Sequence, residues 1–184
     1  SFRDVPPGTT NIGGWACMSR SHIFYDDVDG DGKKEVVSEI NGTWNRLSVW
    51  SGDGTPLHNV HLGPGQRIPA RKIRDVDLGD IDGDGRKEIL AAESSGLVMA
   101  LTPACETLWT RRLSEAPTVL ARTGHAGTTR IHVGCEDGGL VALSGDGSIV
   151  GVGQVTGRPT CIVTVEGGVV VATEAGEMAF VANP

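Results

Sequence analysis

The chain has 184 residues, which suits one domain or at most two small ones, and its 39% hydrophobic content excludes an intrinsically disordered protein. Its formal net charge is −7 and its 16 Lys and Arg form no basic cluster, which argues against nucleic-acid binding. No apolar run is long enough to cross a membrane. The 27 glycines, together with short β-branched runs, favour an all-β fold with many turns.

The predicted strands form units that repeat along the chain. In the first unit, strand residues 22–25 lead through an acidic loop to the apolar run EVVSE at Glu35, and a hairpin at residues 40–50 follows. In the second unit, a strand at residues 72–78 leads through a similar loop to the run EILAA at Glu88. The hairpin ESSGLVMAL then repeats the strand–turn–strand pattern.

Two further units follow without an acidic loop. Their first strands, PTVL and PTCI, start at Pro117 and Pro159, which are 42 residues apart (159 − 117). Their hairpins, CEDGGLVAL and TEAGEMAFV, start at Cys135 and Thr173. The same order of strands and turns therefore occurs four times in the sequence.

The glycine in each hairpin turn sets the repeat length. Gly96, Gly138 and Gly176 are separated by 42 residues (138 − 96) and 38 residues (176 − 138). Four strands in about 40 to 50 residues make one blade of a β-propeller. We therefore predict an all-β fold, a β-propeller of four-stranded antiparallel blades, with about four blades in a single domain. The domain spans residues 1–184, and its blades are predicted at approximately residues 20–62, 72–113, 117–155 and 159–184.

The last predicted blade has only three strands between residue 159 and the final residue, Pro184. The segment SFRDV at residues 1–5 resembles an outer strand and is the candidate for the missing fourth strand, which would remove an exposed sheet edge. Two alternatives remain open here: a closed four-bladed ring, and four consecutive blades of a larger ring.

Two acidic loops carry the strongest chemical signal. DVDGDGKKE starts at Asp27 and DIDGDGRKE starts at Asp80, 53 residues later (80 − 27). Carboxylates at alternate positions converge when such a loop coils tightly, and Gly32 and Gly85 permit the sharp turn. Like charges so close together repel unless a cation lies between them, and Ca²⁺ accepts six to eight oxygen ligands. The loops therefore predict two calcium sites.

The loop pattern resembles the calcium loops of FG-GAP, or integrin-α-type, propeller repeats. An EF-hand would require Glu at position twelve, where Ser38 and Ala91 stand instead. The resemblance implies ligands from side chains one, three, five and nine and from the carbonyl at seven. These positions are Asp27, Asp29, Asp31, the carbonyl of Lys33 and Glu35, then Asp80, Asp82, Asp84, the carbonyl of Arg86 and Glu88. The family more often has Asp at position nine, so the two Glu residues depart from its pattern.

The third and fourth units resemble quinoprotein-like blades, although no quinone cofactor is implied.

Asp75 and Asp77 alternate on a first strand, where they could form an acidic ligand-binding channel mouth; we favour ordinary alternation with solvated acids. Trp44 follows a turn and is the best candidate for an exposed contact residue.

The four cysteines are Cys17, Cys105, Cys135 and Cys161. They could form two disulfides or remain buried thiols, and we favour the buried thiols.

No nucleophile elbow, metalloprotease motif or phosphate loop occurs in the sequence. We predict a non-enzymatic calcium-binding module that serves as an extracellular binding or scaffold domain for a protein or glycan. Millimolar extracellular calcium keeps modest sites filled, which favours a secreted or cell-surface location. One alternative is a carbohydrate-active domain resembling polysaccharide lyases. Another is a repeating subunit of an extracellular fibre, assembled through its terminal strands.

Overall fold

A computed structural model describes residues 22–41, 45–62, 72–124 and 127–183, and the regular structure in these residues is entirely β. The prediction of an all-β fold is confirmed. The first eight strands are β1 (Ile23–Asp26), β2 (Glu35–Ile40), β3 (Arg46–Ser51), β4 (Pro56–His61), β5 (Ile73–Gly79), β6 (Glu88–Glu93), β7 (Leu97–Leu101) and β8 (Thr107–Arg112). The others are β9 (Pro117–Thr123), β10 (Arg130–Cys135), β11 (Gly139–Ser144), β12 (Ile149–Gln154), β13 (Pro159–Val165), β14 (Gly168–Thr173) and β15 (Met178–Ala182).

The strands form four antiparallel sheets, and each sheet follows chain order. We call them blade 1 (β1 to β4), blade 2 (β5 to β8), blade 3 (β9 to β12) and blade 4 (β13 to β15). Blade 4 has three strands in the described part of the chain. The predicted fourth strand at residues 1–5 lies outside the described residues.

Burial differs systematically between the strands of one blade. The second strands β2, β6 and β10 are almost entirely buried. Blades 2 and 3 have a neighbouring blade on both faces, which accounts for the burial of β6 and β10. The outer strands β4, β8 and β12 are largely exposed. The first strand β9 lies against both β5 and β13, so first strands gather on the inner side of the row of blades.

Three hydrophobic clusters join successive blades. Val37, Leu47 and Ile89 belong to the cluster between blades 1 and 2. The cluster between blades 2 and 3 and the cluster between blades 3 and 4 are built in the same way. Among the described residues, no such cluster joins blade 4 to blade 1. The described sheets are thus not closed into a ring, which fits four blades of a larger propeller.

Trp50 is buried, and Trp109 packs against the cluster between blades 2 and 3. Trp44 lies outside the described residues. In the part of the chain that the structure describes, no helix is long and apolar enough to cross a membrane.

The three described cysteines are free thiols, but only two of them are buried. Burial raises the pKa of the Cys105 thiol to about 12 and is the main cause that raises the pKa of Cys135 to about 11. Cys161 is exposed, so the prediction of a buried thiol is wrong there. Its strand β13 belongs to blade 4, which has a described neighbour on one face only. Cys17 lies outside the described residues.

Candidate metal centre

The two acidic loops occupy equivalent places, between β1 and β2 in blade 1 and between β5 and β6 in blade 2. Gly30 and Gly32 have φ angles of 80° and 86°, and Gly83 and Gly85 have φ angles of 92° and 89°. Side chains larger than hydrogen rarely adopt this left-handed conformation. The glycines therefore let each loop coil so that its acidic residues turn inward.

Hydrogen bonds fix the carboxylates in the first loop. The two carboxylate oxygens of Asp27 accept hydrogen bonds from the N–H groups of Gly30 at 2.8 Å and Gly32 at 3.0 Å. Oε2 of Glu35 accepts one from the Val28 N–H at 3.1 Å. The backbone thus orients both ends of the loop toward one point.

The second loop reproduces this network. Asp80 accepts hydrogen bonds from the N–H groups of Gly83 at 2.6 Å and Gly85 at 3.1 Å. Oε2 of Glu88 accepts one from the Ile81 N–H at 2.9 Å. Since the loops share their bonding pattern, the same residue types at the same spacing produce the same local geometry.

Each loop brings three carboxylates together. Oxygen atoms of Asp27, Asp29 and Glu35 lie within 4.8 Å of one another, and an equivalent group forms in blade 2. That second group is Asp80, Asp82 and Glu88. Both Glu residues are buried, whereas Asp29 and Asp82 are exposed. A donor set made only of carboxylate oxygens suits a hard cation such as Ca²⁺.

Electrostatic repulsion is evident in the second group. Burial raises the pKa of Glu88, and the negative charges of Asp82 and Asp84 raise it further. A cation placed among these carboxylates would remove that repulsion. The residues present therefore fit a divalent cation.

The fifth loop position differs from what the family resemblance implies. Asp31 pairs with Lys33 Nζ at 3.2 Å, and Asp84 pairs with the Arg86 guanidinium at 2.5 Å. Hydrogen bonds from these partners lower the pKa values of both aspartates. Neither aspartate belongs to the three-carboxylate groups. The carbonyls of Lys33 and Arg86 stay predictions as ligands.

The two loops contact each other across the interface between blades 1 and 2. The Lys87 N–H donates a hydrogen bond to the Val28 carbonyl at 2.9 Å. The Lys87 ammonium pairs with Asp26, and this is the main cause that lowers the pKa of the Asp26 carboxyl. The loop of blade 2 is therefore anchored on the loop of blade 1.

Asp75 is not a simple solvated acid, contrary to the favoured interpretation. Its Oδ1 lies 2.9 Å from Nε2 of His22, and its Oδ2 accepts a hydrogen bond from the Leu120 N–H at 2.8 Å. His22 Nδ1 lies 3.3 Å from Oε1 of Glu39. Hydrogen bonds to Asp75 and Glu39 raise the pKa of His22 to about 9, so the imidazole is charged at neutral pH. Blades 1, 2 and 3 are linked through this chain.

The His22–Glu39 pair is the feature that the sequence reasoning missed. The signal was present in the run EVVSEI, where Glu39 stands among apolar residues of a predicted strand. Glu39 is fully buried, and a buried carboxylate requires a partner. What the sequence does not reveal is which residue supplies that partner.

Asp77 lies on the first strand of blade 2, on the inner side of the row of blades. It borders a cavity of about 400 Å³, together with Arg122 of β9 and Thr164 of β13. Burial raises the pKa of Asp77, and its Oδ1 accepts a hydrogen bond from the Leu78 N–H at 2.8 Å. The cavity is therefore lined by the first strands of three blades.

Comparison with protein families gives two matches. Residues 27–91 match the FG-GAP-like repeat, and residues 69–154 match the lambda-carrageenase beta-propeller domain. Residues 27–91 therefore carry an FG-GAP-like repeat within a β-propeller fold. The first match contains both acidic loops. A comparison with curated proteins returned no match.

Solved propellers share the fold of this chain. BBS1N in complex with ARL6DN is 17% identical with a TM-score of 0.65, and the match covers 88% of this chain and 56% of that chain. The computationally designed Ika4 protein is 16% identical with a TM-score of 0.64, covering 88% and 91%. Saccharomyces cerevisiae Sqt1 is 10% identical with a TM-score of 0.66, covering 89% and 48%. This chain thus spans about half of the BBS1N and Sqt1 chains, and such identities indicate the fold alone.

Proposed function

We propose that the chain is a non-enzymatic, calcium-binding β-propeller module that serves as an extracellular binding or scaffold domain. The observation that carries the proposal is the pair of three-carboxylate groups, which have the same hydrogen bonds in two successive blades. One such acidic turn is common on protein surfaces. Two copies at equivalent places, both containing a buried Glu, favour a shared ligand.

In this proposal Asp27, Asp29 and Glu35 hold one Ca²⁺, and the equivalent residues of blade 2 hold the other. Calcium supplies the positive charge that the clustered carboxylates lack. Asp31 joins the first set when its side chain turns away from Lys33, and Asp84 does the same in blade 2. The role of the ions is to rigidify the loops where neighbouring blades meet.

The partner is proposed to be a protein or a glycan outside the cell, where calcium is abundant. The BBS1N structure holds a complex with ARL6DN, so a protein of this fold can present a protein-binding surface. The match with the lambda-carrageenase propeller domain does not favour a carbohydrate-active role over this module.

Calcium titration followed by calorimetry and thermal unfolding tests the proposal. We expect two sites and a higher unfolding midpoint with calcium, because a ligand of the folded state stabilises it by about 2.7 kcal/mol per site at 100 times Kd. Asp29→Asn and Asp82→Asn keep an oxygen that accepts the loop hydrogen bond from the N–H group of Asp31 or Asp84, but they remove the charge. Each variant should lose one site.

Glu166→Gln is the matched control, since Glu166 is an exposed acid far from both loops in the sequence. This variant should keep both calcium sites. An unchanged unfolding midpoint in millimolar calcium, or equal calcium binding by the double variant Asp29→Asn/Asp82→Asn, would refute the calcium role.

A further inference from the structure

The outer strands of blades 2 and 3 differ at the two positions that face the next blade. In β8 these positions are Trp109 and Arg111. Strand pairing places Gly151 and Gly153 at the equivalent positions of β12. Blade 3 therefore has two glycines where blade 2 has an indole ring and a long basic side chain.

The two large side chains of blade 2 reach across to blade 3. Nε1 of Trp109 donates a hydrogen bond to the Gly145 carbonyl at 2.8 Å, and Nε of Arg111 donates one to the Gly147 carbonyl at 2.7 Å. Trp109 also packs against the hydrophobic cluster between these blades. A glycine has no side chain that could make such contacts, so β12 leaves space beside blade 4.

A cavity of about 100 Å³ lies in that space. Gly151 and Gly153 line it together with apolar side chains from both blades. These apolar residues include Leu140, Ala142, Ile162, Val169, Val171 and Val181. Among the described residues, no Asp, Glu, Lys or Arg lines the cavity. Cavities with aliphatic walls, of about 150 Å³ in an engineered case, stay dry and bind benzene.

His132 is the polar residue in the described lining of this cavity. It stands in β10 at the place that Leu90 has in β6, and it is 5% exposed. Its Nε2 lies 3.1 Å from Oγ1 of Thr123. Burial lowers the pKa of His132, so the imidazole is neutral at pH 7. A neutral ring held in this way adds an aromatic surface to the aliphatic wall, and aromatic rings attract each other beyond the effect of buried area.

We propose that the cavity between blades 3 and 4 binds a small molecule with a single aromatic ring. The volume suits one ring, and the aliphatic walls together with His132 suit an apolar aromatic ligand. A charged ligand or a sugar would lose its hydration there without finding enough polar partners. Trp109 shows that the space between two neighbouring blades of this chain accepts an aromatic ring. The inference goes beyond the proposed function and does not depend on calcium.

Titration of the chain with benzene, followed by NMR of its methyl groups, tests the inference. We expect shifts at the methyl groups of Val169, Val171 and Val181, which line the cavity. A ligand of this size should have a dissociation constant on the order of 1 mM. Cyclohexane is the matched probe without an aromatic ring, and it should bind roughly twofold to tenfold more weakly because it lacks the ring contact with His132.

Substitution of Gly153 locates the site. A Cβ atom built at Gly153 meets only Leu140 at 3.8 Å, so the larger side chain of Gly153→Leu enters the cavity and takes the place of the ligand. We expect this variant to bind benzene at least about tenfold more weakly. Gly153→Ala fills less of the cavity and should weaken binding less. Val150→Leu is the matched control, since Val150 lies in β12 but does not line the cavity.

Benzene that leaves the three valine methyl signals unchanged would overturn the inference. Equal benzene affinity of Gly153→Leu and Val150→Leu would also overturn it, because binding would then occur elsewhere. Equal affinity for cyclohexane and benzene would overturn the aromatic class of the ligand. The circular dichroism spectrum of each variant without benzene should match that of the wild type. If Gly153→Leu does not fold, the smaller change Gly153→Ala decides the question: unchanged benzene affinity in that variant would then overturn the site.

Discussion

His22 shows how one residue can hold several blades together. Its ring lies between Glu39 of blade 1 and Asp75 of blade 2, and Asp75 also accepts a hydrogen bond from Leu120 of blade 3. Two carboxylates beside one imidazole favour its charged form. The contribution of His22 to stability must therefore depend on its protonation.

We expect the free energy of unfolding to fall as pH rises above neutrality. The pKa of His22 is raised from 6.5 to about 9 in the folded protein, so its contribution is complete below pH 6.5 and lost as pH rises through about 9. The loss should be about 2 kcal/mol, because solvent screening weakens this partly exposed group. Urea unfolding at several pH values measures it.

His22→Gln should abolish most of this pH dependence while lowering stability at neutral pH. His58→Gln is the control, since His58 is exposed on the outer strand β4. If the wild type and His22→Gln lose stability in parallel between pH 6.5 and 10, the ion pairs with Glu39 and Asp75 do not contribute.

At the scale of elements, the acidic loops depend on glycine conformation. Gly85 has a φ of 89°, and a Cβ atom built there meets no atom within 4 Å. The cost of Gly85→Ala is therefore conformational strain and not collision, and we expect a loss of roughly 1 to 2 kcal/mol. Urea unfolding in the presence of a chelator isolates this cost from any effect of calcium.

Gly153→Ala provides the comparison, because Gly153 lies in β12 without a positive φ and its new Cβ would meet only Leu140 at 3.8 Å. That change should alter stability by no more than about 0.5 kcal/mol. A Gly85→Ala variant as stable as Gly153→Ala would mean that the loop relaxes into another conformation.

Local signals in the sequence account for the elements that were predicted correctly. The repeat of Gly96, Gly138 and Gly176 predicts hairpins, because turn geometry depends on neighbouring residues only. The pairing of Asp31 with Lys33 was not predicted, since the family resemblance implied a ligand at that position. The contacts of His22 and the exposure of Cys161 depend on how blades stack, which no local pattern encodes.

For the whole molecule, the interfaces between blades are unequal. Among the residues that the structure describes, the cluster between blades 1 and 2 contains 12 buried residues and the next contains 11, but the cluster between blades 3 and 4 contains only four. Each buried aliphatic side chain contributes about 1.5 to 3 kcal/mol. Blade 4 is therefore held by the least apolar burial in the row.

Hydrogen exchange followed by mass spectrometry should detect this difference. We expect amides of β14 to exchange faster than those of β6 and β10, because weakly packed units open at lower free energy. Equal protection of the three strands would contradict a stability gradient along the row.

The hydrogen bond from the Lys87 N–H to the Val28 carbonyl has a consequence for the response to calcium. An ion that orders the loop of blade 2 also orders part of the loop of blade 1, so the second ion meets a smaller entropic cost. Thermodynamic reciprocity requires the same coupling in the other direction. Under the proposed function, the two sites fill cooperatively. The module then passes from calcium-free to calcium-loaded over a narrower range of calcium concentration than two independent sites would allow.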